Sequence, residues 1–128
     1  MNMLRRTLNE TASLSPKKTG LKSATLWLCN QPADCKNGQH SEYRVRAMVG
    51  GRNIYFPFDP KSLVLKAPKP TSDFKEGEIS SLLKEIEEFI DKNNVLIKAY
   101  ISKEEDDDGN VKVDIDILRN SIKPIGKK

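Results

Sequence analysis

Two cysteines and a single histidine occur in 128 residues, which leaves little with which to hold a transition metal or build a nucleophilic pair. Cys29 and Cys35 are too few for a disulfide framework, and in a reducing compartment they are expected as free thiols. A zinc site would need both of them, His40 and a fourth donor such as Asp34, at a spacing that matches no common zinc pattern. His40 and Cys35 lie near one another in sequence but have no evident third group to orient them, so no triad is predicted. No pair of carboxylates sits in an apolar setting that would drive their pKa values apart. The expectation is therefore a protein without catalysis, cofactor or metal. Long apolar runs are also missing: none approaches the ~20 residues that span a bilayer. Arg5 and Arg6 open the chain without a following apolar h-region, so no signal peptide and no membrane are predicted, and the expected compartment is cytoplasmic or nuclear.

Charge is plentiful, at 31% of residues against 37% apolar, and it is unevenly spread. Residues 1–72 carry twelve Lys and Arg against four Asp and Glu, a net +8, whereas residues 73–108 carry five against twelve, a net −7. Residues 109–128 return to +3, giving the overall +4. A basic body joined to an acidic segment speaks of partners and association rates, not of fold.

At this length one domain is expected: residues 1–20 as a flexible basic arm, 21–122 as a single α+β domain and 123–128 as a loose basic tail. The arm holds few apolar anchors, with a short helical turn over Leu4–Asn9. It ends in Ser15-Pro16-Lys17-Lys18, which resembles the basic repeat of histone tails that contacts the minor groove of DNA. Ala24–Cys29 alternates as a first strand, with Ala24, Leu26 and Leu28 on one face and Thr25, Trp27 and Cys29 on the other. Trp27 is read as a core residue on the general burial of tryptophan. The polar stretch Asn30–Ser41, with Pro32 and Gly38, reads as a long loop.

The most informative stretch is Tyr43–Phe58. Two alternating runs flank Gly50-Gly51, a connection of the kind that two-residue hairpin turns favour. That turn predicts Val49 opposite Arg52, Ala47 opposite Ile54, Val45 opposite Phe56 and Tyr43 opposite Phe58. The other face pairs Met48 with Asn53, Arg46 with Tyr55 and Arg44 with Pro57. A one-residue slip would mix the apolar and polar sets, so turn and pattern agree. Pro57 places its strand near a sheet edge. Ser62–Lys66 is predicted as one more short strand, and Ala67-Pro68-Lys69-Pro70 as extended linker.

An amphipathic helix follows, carrying Ile79, Leu82, Leu83, Ile86, Phe89 and Ile90 as one stripe, with Asp73 and Glu76 as a capping pair and Asn93-Asn94 as the stop. Val95–Lys103 and Val111–Leu118 are predicted as a last hairpin around Asp107-Asp108-Gly109, with glycine at the left-handed position. Asp114 and Asp116 would then share one strand face. Counting Glu104 as the first position of a calcium loop puts Ile115 at the twelfth, where a bidentate glutamate is required, so the run reads as a solvated turn.

The predicted order β-β-β-α-β-β resembles the element order of the OB-fold, a five-stranded, partly closed barrel. The alternative is an open antiparallel sheet with the helix on one face. Function is expected on the outer face of the first hairpin, where Arg44, Arg46 and Arg52 would project with Tyr55, backed by Lys61, Lys66 and Lys69. Lys17 and Lys18 in the arm would add attraction at longer range. Guanidinium groups pair with phosphates and an exposed tyrosine stacks on a base. The expectation is a non-enzymatic nucleic-acid-binding protein, for single strands more than duplex. The alternative is a protein-binding adaptor or inhibitor acting through charged surfaces or a sheet edge.

Overall fold

The computed structural model describes residues 11–22, 24–29 and 43–126. The predicted turn over Leu4–Asn9, the loop Asn30–Ser41 with Cys35 and His40, and the final two lysines lie outside the described residues, as does the side chain of Cys29.

Alternation builds the sheet. In β2 (Ala24–Cys29), Ala24, Leu26 and Leu28 are buried while Thr25 and Trp27 are half-buried on the opposite face. β3 (Tyr43–Val49) and β4 (Arg52–Phe58) pair in the register predicted from the turn, from Tyr43 opposite Phe58 through to Val49 opposite Arg52. Gly50 and Gly51 both hold positive φ, 56° and 81°. This is the backbone that a two-residue turn between twisted strands requires and that L side chains resist.

The sheet gains a strand at its other edge. β1 (Thr11–Leu14) pairs antiparallel with β2 and buries Ala12 and Leu14 completely, so strand order is the simple meander β1-β2-β3-β4. The expected flexible arm is corrected from residue 11 onward. Ser15 then accepts a hydrogen bond from the Lys18 amide, and Pro16 opens the single turn α1 (Pro16–Thr19). Proline suits that first helical position because its missing N–H would have had no helical partner.

After β4 the chain folds back on that strand's outer edge. Asp59 Oδ2 accepts from the Ser62 amide at 3.1 Å and its hydroxyl at 2.7 Å, and Leu65 bridges to Phe58. The predicted strand over Ser62–Lys66 is thus reduced to one bridge, because Leu63 takes a positive φ of 62° that no ladder accommodates.

Helix α2 (Glu76–Lys92) buries Ile79, Leu82, Ile86, Phe89 and Ile90 of the expected stripe in one core with the sheet's apolar face, while Leu83 is half-buried at its margin. Its start differs. Lys75 stands at the N-cap, and Glu78 three residues on accepts from its amide at 3.2 Å, so the cap lies two residues beyond the expected Asp73–Glu76 pair. Asn93 does not stop the helical path but bends it. α3 (Asn94–Ser102) starts directly beyond Asn93 and buries Ile97, Tyr100 and Ile101. α4 (Ile115–Ser121) is capped by Asp114, whose Oδ1 accepts from the Ile117 amide at 2.9 Å.

The predicted second hairpin is therefore overturned, and the element order is β-α-β-β-β-α-α-α. The run Val95–Ile101 alternates, yet Ile97, Tyr100 and Ile101 also fall at helical spacing, and a short apolar run satisfies both periods. Burial decides between them. Val95 is 82% exposed while Tyr100 is fully buried, its hydroxyl donating to the Leu28 carbonyl at 3.3 Å. The turn within that hairpin survives alone: Gly109 is left-handed at φ 83°, and the Lys112 amide donates to the Glu104 carbonyl at 2.7 Å.

The tail predicted as loose also joins the core. Ile122 and Ile125 are buried, and the Ile125 amide donates to the Thr19 carbonyl at 2.8 Å. The result is an α+β fold whose four-stranded antiparallel sheet is not closed, with helices sharing a single core with one of its faces. No helix among the described residues is long and apolar enough to cross a membrane.

Candidate nucleic-acid interface

The sheet face away from the core carries Ser13, Thr25, Trp27, Arg44, Arg46, Met48, Asn53, Tyr55 and Pro57, by the same alternation that buries their neighbours. No acidic side chain occurs among them. Register aligns one residue from each strand into a row: Ser13 opposite Trp27, Trp27 opposite Arg46, Arg46 opposite Tyr55. The row is held by the β2–β3 and β3–β4 ladders, so its spacing is a property of the backbone.

Two arginine–aromatic stacks occupy this face. The Arg46 guanidinium lies 4.1 Å from the Trp27 ring centroid, and the Arg44 guanidinium lies 4.6 Å from that of Tyr55. Such contacts at half-exposed sites contribute about 0.5–1 kcal/mol each, enough to order the guanidinium groups without locking them. Arg44 Nε is shielded from solvent and has no hydrogen-bond partner among the described residues, a donor left unsatisfied at some cost. Tyr55 is 40% exposed.

Arg52 does not join them. Its position in β4 has the parity of Ile54, Phe56 and Phe58, so it points to the helix side of the sheet. There its guanidinium stacks 4.6 Å from the Phe74 ring, bonds the Asp73 carbonyl and lies 3.6 Å from Glu78. The register already implied this, since Arg52 opposes Val49 on the apolar side. Lys61 and Lys66 are exposed around the turn on the β4 edge. Lys17 and Lys18 belong to α1 next to β1 at the opposite edge, where Lys18 Nζ donates to the Arg119 carbonyl at 2.9 Å.

Trp27 is the residue that sequence reasoning missed. Its alternation placed it opposite Leu26 and Leu28, off the core face, and the general burial of tryptophan outweighed that local signal. The exposed side of α2 is net acidic, with Glu76, Glu78, Glu87, Glu88 and Asp91 outnumbering Lys84 and Lys92, whereas the charged side chains described on the sheet face, Arg44 and Arg46, are both cationic. Asp114, expected to share a strand face with Asp116, is instead spent on capping α4. Among the described residues, no group of three or more His, Cys, Asp or Glu side chains gathers as metal ligands would. No protein-family model, curated protein or solved structure matches the chain, so the functional reading rests on its own residues.

Proposed function

We propose that this chain is a non-enzymatic protein that binds nucleic acid, single strands in preference to duplex, on the outer face of its sheet. The observation that carries the reading is the row Trp27–Arg46–Tyr55 with Arg44 beside it, a surface of aromatic rings and guanidinium groups with no acidic side chain among the described residues. Aromatic side chains on a sheet stack unpaired bases, and arginines take the phosphates between them. Lys61 and Lys66 at one edge and Lys17 and Lys18 at the other extend the positive field, while the acidic outer side of α2 orients the molecule as it approaches a polyanion. Arg52 has no part in this surface.

An adaptor role by strand addition at β4 has less to support it, because the 59–66 turn already occupies that edge, with the Lys66 amide donating to the Pro57 carbonyl at 2.8 Å.

The test is a salt series of binding to a fluorescent single-stranded oligonucleotide. Log affinity should fall with log salt by about 0.7 for each phosphate neutralised. Arg46→Ala should lower that slope by about one such contact. Tyr55→Ala should weaken binding by about 1–3 kcal/mol, the worth of one stacked base. Absence of binding at low salt rejects the reading; unchanged affinity in both folded variants removes it from this face.

A further inference from the structure

Both aromatic rings of the row already carry a guanidinium group, so an incoming base meets an occupied surface. From this and from the register, we propose that the row is a three-nucleotide subsite crossing the strands from β2 to β4. In it, bases replace the guanidinium groups on Trp27 and Tyr55, and the displaced Arg46 and Arg44 take the phosphates between those bases. The inference rests on the nucleic-acid reading above and deepens it.

Geometry sets the number of nucleotides. Trp27 and Tyr55 stand two strands apart in one row, and strands lie about 4.8 Å apart, which separates the two positions by about 10 Å. Bases stacked in a helix rise about 3.4 Å per step. Neighbours stacked on each other therefore cannot serve both rings. The strand must splay, with one nucleotide passing over Arg46, and a duplex cannot do this without unpairing.

Electrostatics sets the exchange. A guanidinium leaving a ring loses a cation–π contact and gains a charged oxygen, while the ring regains a flat partner in the base. Arg44 has the stronger reason to move, since its buried Nε finds no acceptor among the described residues and a phosphate oxygen supplies one. Nothing in this scheme reads base identity at the two rings, because every base offers a π-face.

Trp27 is the chain's sole tryptophan, so its emission reports the β2 end of the subsite directly. The intact protein is titrated at low salt with di-, tri- and tetrathymidylate, following that emission, and with a long fluorescein-labelled oligothymidylate, following anisotropy. Emission should be quenched, and affinity should rise about tenfold from di- to trinucleotide, within the range expected for one added stack. A trinucleotide abasic at its centre should bind within about twofold of the intact one, whereas an abasic site at either end should return affinity to the dinucleotide level. Tyr55→Leu should erase the gain from the third nucleotide and keep the Trp27 quench. If the long oligonucleotide binds without quenching Trp27, or central and terminal abasic sites weaken binding equally, the subsite is wrong and nucleic acid binds in another way. If the long oligonucleotide gives no anisotropy change at low salt, the nucleic-acid reading itself falls, and the subsite with it.

Discussion

Replacing Asn93 with alanine tests how the last residues of the fold are held. Asn93 is 6% exposed, at the bend between α2 and α3, and its side chain makes three hydrogen bonds. Nδ2 donates to the Phe89 carbonyl at 3.0 Å and to the Lys123 carbonyl at 2.9 Å, and Oδ1 accepts from the Lys123 amide at 2.7 Å. The Phe89 carbonyl keeps the Asn93 amide as a partner at 3.2 Å, so its loss is small. The two Lys123 groups lose their protein partners. Lys123 itself is exposed, and water recovers part of that loss. At a net ~0.5–1.5 kcal/mol per bond, Asn93→Ala should cost about 2–3 kcal/mol. For a domain of this size that is a fall in Tm of roughly 8–12 °C. Chemical denaturation gives the first figure and a thermal melt the second. Amide exchange locates the damage: the Ile125 amide, bonded to the Thr19 carbonyl, should lose protection before amides of β3. Asn93→Asp keeps the acceptor and sets a carboxylate against two carbonyl oxygens, so it should be at least as damaging. A stability change under about 0.5 kcal/mol, with Ile125 still protected, would refute the reasoning.

Gly20→Ala should destabilise more than Gly51→Ala, though both positions have φ of +81°. A Cβ on Gly20 would sit 2.1 Å from the Ile125 carbonyl oxygen, whereas Gly51 faces open space, so Gly51→Ala should cost only the left-handed strain of about 1–2 kcal/mol, as denaturant midpoints will show. Arg52→Gln should leave oligonucleotide affinity within about twofold and cost about 1–3 kcal/mol of stability, since it loses the stack on Phe74 and the bond to the Asp73 carbonyl along with a screened pair to half-exposed Glu78; a large affinity loss would return Arg52 to the interface. The hydrogen bonds from Ser62 hold the Asp59 carboxyl below the ordinary aspartate range. A carboxyl whose pKa is lowered by folding stabilises the turn above its unfolded pKa and loses that contribution as pH falls through the folded one. The Ser62 amide shift should therefore hold steady through neutral pH and titrate below the usual aspartate midpoint; in Asp59→Asn it should not titrate there.

Legibility followed the strength of local pattern. The β3–β4 hairpin was readable to the residue because two glycines and two alternating runs gave the same register. The α2 stripe was readable because its buried positions from Ile79 to Ile90 repeat one period over about three turns of helix. β1 was not, since four residues with two apolar positions, Ala12 and Leu14, are too short to stand out beside a basic stretch. Val95–Ile101 fits both periods, and its helical state is decided by partners distant in sequence, with Tyr100 reaching Leu28. For the candidate interface, Arg44, Arg46 and Tyr55 followed from the hairpin alone. Trp27 needed the β2–β3 register, which lies across a long intervening segment. Arg52 was misassigned through its charge, although its parity with Ile54 and Phe56 was available from the turn.

The bond from Ile125 to Thr19, with α4 lying against β1, joins the last-synthesised part of the described chain to the first. On the ribosome, β1 must wait about a hundred residues, until Ile115–Ser121, before its helical neighbour emerges, and the β2–β4 meander can assemble earlier from adjacent pieces. Completion of this core is thereby timed by α4 and Ile125, and a chain stalled before them would leave β1 without its helical neighbour.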